Sequence, residues 1–312
     1  MNRFKNILYV SHGLEKETDG LKQALSLARN NEASLTLLIL APALPSSLQD
    51  YADTFYRSLK TDARDALANM ADSLEIDISG MNVCFELCHG KAQGVQVIEY
   101  AIRHDIDLIV KMAQEDGKTV GFRALDMDLL RKCPCPVWLC RPITKSRDKI
   151  NVAVAVDPDN EQKSADDLSV QMLVMAENLS KTCSGTLHII SCWDFAYEDY
   201  LRNNPLSTIP EIQIQNSLDQ EQDNHHAALA KLINRAELDD DKMQIHHHRG
   251  QADKLIPDFV ADHDIDILVM GTVARTGIPG FIIGNTAENI VQELSCSLLA
   301  LKPDDFESPV KI

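Results

Sequence analysis

Two tandem doubly wound α/β domains, each built on a parallel five-stranded sheet, are predicted by three observations. The sequence repeats itself with a period of about half its length. Each copy alternates short β-rich apolar runs with stretches of helical periodicity. The runs 106–110 and 265–270, after Asp107 and Asp266, are apolar on consecutive residues, as strands covered on both faces must be.

The repeat is read directly from matching segments. His104-Asp105-Ile106-Asp107-Leu108-Ile109-Val110 returns as His263-Asp264-Ile265-Asp266-Ile267-Leu268-Val269, and His89-Gly90-Lys91-Ala92 returns as Arg249-Gly250-Gln251-Ala252. Cys135-Pro136-Val137-Trp138-Leu139 is echoed by Cys296-Ser297-Leu298-Leu299-Ala300, each run closing on a basic residue and a proline, Arg141-Pro142 and Lys302-Pro303. Strands are expected near 6–11, 34–40, 81–88, 106–112 and 136–141, then near 151–156, 186–192, 243–249, 265–270 and 296–301. Helical spacing joins Leu59, Ala63, Leu67, Met70 and Leu74, and again Leu168, Met172, Met175 and Leu179. The polar stretch Thr144 to Asp148 marks the boundary, giving domains at 1–145 and 149–303 and a tail at 304–312. Because Pro142 and Pro303 follow the last strand of each copy, those strands read as edges that need cover. The two halves are therefore expected to pack as an intramolecular pseudo-dimer.

Composition narrows the function. The 312 residues carry a formal charge of −17, which repels phosphate backbones and argues against nucleic-acid binding. No apolar run approaches the ~20 residues that span a bilayer, and the apolar start of the chain reads as a strand rather than a signal peptide, so a cytoplasmic protein is expected. The eight cysteines include no CxxC pair and read as buried thiols in a reducing compartment.

The sharpest chemical signal lies at 265–294. A buried strand ends at Met270, Gly271 opens a loop running Thr272-Val273-Ala274-Arg275-Thr276-Gly277-Ile278-Pro279-Gly280-Phe281-Ile282-Ile283, and Gly284-Asn285-Thr286 closes it onto a helix. Glycines let backbone approach an anion, and the first N–H groups of a helix point at it with the positive end of the dipole. An ordinary capping box, Asn285 with Glu288, accounts for part of the same pattern. Neither GxxxxGK[ST] nor GxGxxG occurs.

This run resembles the loop of the universal stress proteins, whose ATP-binding members carry Gly-x2-Gly-x9-Gly-(Ser/Thr) after the fourth strand. Here Gly271 matches, Ala274 stands for the second glycine, Gly284 matches, and Asn285 replaces the hydroxyl residue with Thr286 one position late. The whole chain is similar to tandem-type members of that family. The resemblance implies an adenine nucleotide alpha hydrolase-like fold. It also implies ATP or AMP on Gly271, Thr272, Ala274, Gly284, Asn285 and Thr286, with the ribose or adenine near Asp157 at the end of the second copy's first strand. The first copy has His12 where the second has Asp157, and its corresponding segment, 113–123, brings Glu115 and Asp116 to the phosphate position. That copy reads as structural or regulatory.

Other groups point elsewhere. The run His246-His247-His248, with His225 and His226 upstream, invites a zinc reading, but His246 and His248 share a strand face with His247 opposite, which makes only a partial site, so solvated strand histidines are expected and no metal. The aromatic segments Leu48 to Tyr56 and Trp193 to Tyr200 could lid a site or meet a partner, or pack onto their own domain, which is the favoured reading. Nothing resembles a Ser-His-Asp or Cys-His relay, and residues 271–286 offer no carboxylate as base or metal ligand. The expected function is stress-response binding. Slow ATP hydrolysis at the same loop, or a nucleotide-free scaffold that binds an apolar ligand or a protein, are the alternatives.

Overall fold

The computed structural model describes residues 4–13, 17–90, 92–113, 122, 124–159, 163–203, 209–239, 242–273 and 283–311. In the first half, β1 (Asn6–Ser11), β2 (Ser34–Ala41), β3 (Val83–His89), β4 (Leu108–Met112) and β5 (Val137–Cys140) alternate with α1 (Thr18–Asn31), α2 (Ala52–Ser73), α3 (Gln93–Arg103) and α4 (Ala124–Lys132). The second half repeats the series with β6 (Asn151–Ala155), α5 (Lys163–Cys183), β7 (Thr186–Trp193), the short α6 (Glu198–Asn203) and α7 (Glu211–Ala236). It continues with β8 (Met243–Arg249), α8 (Ala252–Asp262), β9 (Ile267–Gly271), α9 (Asn285–Glu293) and β10 (Ser297–Leu301).

Alternation of side chains along the strands builds two cores from one sheet. Ile7 and Tyr9 face α1, while Leu8 and Val10 point to the layer of α3 and α4. The second half divides in the same way, with Val152 and Val154 against α5 and α7, and Ala153 and Leu268 toward α8 and α9. Helices therefore cover both faces, as a parallel sheet requires.

The two five-stranded sheets are joined. Strand order is β3-β2-β1-β4-β5-β10-β9-β6-β7-β8, and every neighbouring pair is parallel except β5 with β10. Leu298 lies opposite Leu139, Leu299 opposite Trp138 and Ala300 opposite Val137. The last strand of each half is the edge of its own five strands, and each covers the other: the backbone groups each would expose are satisfied across the seam. Pro142 and Pro303 fall just beyond the paired residues and cost the seam no hydrogen bond. The free edges are β3 and β8, where about every second residue is exposed.

The repeated His-Asp-Ile-Asp motif has a structural cause in both copies. Asp105 and Asp264 each take a left-handed backbone at φ 48°, where α3 and α8 end. The following isoleucine amides then fold back, Ile106 to the Ala101 carbonyl at 2.9 Å and Ile265 to that of Val260 at 3.0 Å. The second aspartate receives the chain entering the first strand. Asp107 accepts from the Lys5 and Asn6 amides at 2.7 and 3.1 Å, and Asp266 from the Asn151 amide at 2.8 Å. At the opposite strand ends, Gly90 and Gly250 leave β3 and β8 with φ of 112° and 135°, a conformation that favours glycine.

Candidate functional site

Within each half the strand order reads 3-2-1-4-5, so the chain reverses direction of travel between the first and fourth strands. Ligands of doubly wound sheets sit outside the carboxyl ends of strands at such a switch. In the second half that point lies between β6 and β9, where Ala155 pairs with Met270. Asp157 follows β6 by two residues and Gly271 ends β9 at this same end of the sheet.

Beyond Gly271 the chain forms a neck. Val273 bridges Ile283 in antiparallel fashion, and the Gly284 amide donates to the Thr272 carbonyl at 3.0 Å. The Thr272 amide donates to the Leu301 carbonyl at 3.2 Å, which ties the neck to β10. Thr272 is 1% exposed, and its hydroxyl has no hydrogen-bond partner among the described residues. An orphaned buried hydroxyl at a switch point is an expensive feature unless a ligand meets it. Ala274 and the rest of the loop to 282 lie outside the described residues.

Helix α9 starts directly at the neck. Its N-cap is Gly284, with φ −62° and ψ 143° and no side-chain cap. The capping box read from Asn285 and Glu288 does not form: Asn285 is already helical, and Glu288 ion-pairs with Arg131 of α4 across the seam between the halves. The first amides of α9 thus keep no capping side chain of their own, and Asn285 and Thr286 are exposed there. A phosphate needs these features: backbone N–H groups, glycine at the approach and a positive dipole end.

The first half fills the same point with its own side chains. Lys111, the residue of β4 aligned with Met270, is fully buried and pairs with the fully buried Asp126 of α4 at 2.8 Å. Its Nζ also donates to the Met112 carbonyl at 2.8 Å. Glu17 folds over the end of β1, accepting from the Ser11 hydroxyl and from the His12 amide at 3.0 Å. Burial, aided by nearby Lys111, holds His12 below the usual imidazole value, with Glu17 and Asp126 opposing. The carboxylates foreseen here, Glu115 and Asp116, lie outside the described residues, as does Gly121. The groups that occupy the switch point are Glu17 and Asp126, and the one signal for them was a lysine inside the apolar run of β4.

The strand histidines are half-buried and packed against one another. His246 and His248 stack at 6.1 Å on one face of β8, together with Phe259 and His263 of α8, and His246 Nε2 meets His188 Nδ1 at 3.1 Å. His247 points the other way, toward His225, His226 and Trp193. Burial first, and the neighbouring His246 and His263 second, push His188 down to about 4. A histidine kept neutral in the fold but free to protonate when unfolded contributes stability that is complete above its ordinary pKa of 6.5. This stability is lost as pH falls from there to about 4. Thermal unfolding across a pH series is therefore expected to show a falling Tm through this window. His188→Gln should flatten part of the fall, and equal slopes for the two proteins would remove His188 as its cause.

The remaining expectations divide. Trp193 is buried beneath the Arg249 guanidinium, and Tyr56 stacks on His89 at 5.0 Å, so these aromatics pack onto their own half. Tyr51, Tyr197 and Tyr200 are instead about two-thirds exposed. All eight cysteines are free thiols; Cys133, Cys140 and Cys296 are buried and Cys84 is exposed. No helix among the described residues is long and apolar enough to cross a membrane.

One further group stands at the end of β6. The Asp159 amide donates to Asp157 Oδ1 at 3.1 Å, and His225 of α7 sets its Nε2 3.7 Å from Asp159 Oδ2. One ligand atom from each of the three residues lies within 4.8 Å of the others.

Comparison with known proteins gives a consistent result along the whole chain. The model of the "Universal stress protein family" matches residues 3–141 and again 151–302. Universal stress protein E of Photorhabdus laumondii is 26% identical over 323 aligned positions, covering 100% of this chain and 99% of that protein. Universal stress protein E of Salmonella typhi is 30% identical over 221 positions, covering 69% of this chain and 67% of that one. Among solved structures, a functionally unknown protein from Pseudomonas aeruginosa PAO1 superposes with a TM-score of 0.73 at 25% identity, covering 97% of this chain and 94% of that one.

Proposed function

This chain belongs to the universal stress protein family, and from that premise we propose that it acts in the stress response by binding, holding one adenine nucleotide, ATP or AMP, in its second half. The observation that carries the reading is the buried Thr272 hydroxyl, without a partner among the described residues, beside the uncapped start of α9 at the switch point. The phosphates would lie against the backbone of Gly271, Gly284, Asn285 and Thr286, with the Thr272 hydroxyl donating to them. Asp157, on the neighbouring strand, would take the ribose hydroxyls or the base. Ala274 replaces a family glycine and adds one methyl group to the approach.

The first half contributes no second site in this reading. Its switch point is occupied by the Lys111–Asp126 pair and by Glu17, and a phosphate entering there would displace groups already satisfied. Isothermal titration with ATP and with AMP is expected to give one nucleotide per chain. Gly284→Asp puts a carboxylate at the anion position and should weaken binding at least tenfold, on the order of the 1.4 kcal/mol that a tenfold change represents. Gly121→Asp, in the corresponding segment of the first half, should leave it unchanged. A stoichiometry of two, or equal losses in both variants, would place the nucleotide elsewhere.

A further inference from the structure

We propose that Asp157, Asp159 and His225 form a binding site for one divalent transition-metal ion of the zinc class, at the carboxyl end of β6. The ligand set is one imidazole nitrogen and two carboxylates, whose ligand atoms all lie within 4.8 Å of one another. Carboxylates alone would suit magnesium or calcium; an imidazole among them shifts the preference toward zinc and its first-row neighbours.

Local sequence explains the placement. Pro158 stiffens the turn between the two aspartates, and the Asp159 amide closes it on Asp157 Oδ1 at 3.1 Å. The turn therefore presents two negative side chains from adjacent backbone, a repulsive arrangement that a cation relieves. His225 arrives from the middle of α7, on the stripe that also buries Leu218, Leu229 and Leu232. Its side chain is 2% exposed, and its buried Nε2 has no hydrogen-bond partner among the described residues, lying 3.7 Å from Asp159 Oδ2. That distance is too long for a hydrogen bond.

The other ring nitrogen is held as metal-ligating histidines require. His225 Nδ1 meets His247 Nε2 at 2.8 Å, and the His247 ring stacks on Trp193 with an interplanar angle of 16°. With Nδ1 donating to His247, the Nε2 lone pair is left facing Asp157 and Asp159, the tautomer and orientation that a hydrogen bond to the other ring nitrogen fixes in zinc sites. Donor atoms around a zinc ion at 2.0–2.2 Å lie about 3.4 Å apart. The three ligand atoms must therefore draw together from spacings of up to 4.8 Å, and Asp159, 48% exposed on its loop, has room to move.

Asp157 is shared with the proposed nucleotide site, so the test uses metal alone, and its outcome does not depend on nucleotide binding. The full chain is stripped with chelator and titrated with Zn2+ without nucleotide, under competition that measures affinity. One equivalent is expected. Its affinity should fall at least tenfold in Asp159→Asn, an exposed change that leaves the core untouched, and also in His225→Gln. A His246→Gln/His248→Gln double variant removes the other face of β8 and should keep the site intact. The proposal is overturned if the stripped chain takes up no zinc, if Asp159→Asn binds as tightly as the parent, or if the double variant abolishes uptake.

Discussion

Replacing Lys111 with methionine is expected to cost about 3–5 kcal/mol of folding stability, read as a lowered urea midpoint with an unchanged slope. Lys111 and Asp126 are each 0% exposed, so removing the ammonium leaves a carboxylate in the sheet–helix interior with no water to receive it. The charge must then stay buried, protonate, or open the structure. Removing both partners tests the cause. Lys111→Met with Asp126→Leu replaces an ion pair by apolar groups of similar size and should recover most of the loss, because a buried pair is weakly stabilising while a broken one is strongly destabilising. A double variant as unstable as the sum of the single ones would show that the pair is not the unit. The double variant also opens the first half's switch point, yet Glu17 remains over the end of β1, so no nucleotide site is expected to appear there.

The second large effect concerns the seam. With a protease site inserted at 144–148 and cut, the two halves are expected to elute together as one particle and to unfold in one transition. Among the described residues the connection then includes the β5–β10 pairing, the Arg131–Glu288 ion pair, and hydrogen bonds such as those from Lys302 Nζ to the Cys133 carbonyl at 2.6 Å and from the Arg141 amide to Ser297 Oγ at 2.9 Å. Trp138 sits at the middle of this seam. It is 3% exposed, lies opposite Leu299, and its Nε1 donates to Gln23 Oε1 at 3.0 Å. Trp138→Ala is expected to cost about 3–5 kcal/mol, the range for truncating a buried tryptophan, and to let the cut halves separate on a sizing column. Separation of the cut parent protein would mean that the linker, not the seam, holds the halves together.

How much of this was legible depended on whether a feature is local. The strands could be read because runs such as Leu108-Ile109-Val110 and Ile267-Leu268-Val269 are apolar on consecutive residues, which a half-exposed strand would not tolerate. The seam could not. Nothing in Val137–Cys140 distinguishes an edge strand awaiting cover from one paired with a segment some 160 residues away, and the prolines that follow suit both. Gly271 and Gly284 were visible as a spaced pattern, and Asp157 through the family resemblance. His225 was visible only as a histidine upstream of the His246–His248 run; that it meets Asp159 is a matter of the fold. Its position on the stripe of Leu218, Leu229 and Leu232 was the available clue: a polar ring on a buried face needs a partner. The capping box failed for a related reason, since Glu288 found Arg131 in the other half.

The single antiparallel step between β5 and β10 also bears on inheritance. It turns the two carboxyl ends in opposite directions, so that the second half's switch point and its filled twin look out from opposite rims of one sheet. Two identical chains paired in this way would suffer every substitution twice, and neither copy could bury a lysine and an aspartate at its switch point while the other did not. Once both copies share a chain, each rim drifts on its own account, and their one-to-one ratio is guaranteed by translation rather than by assembly.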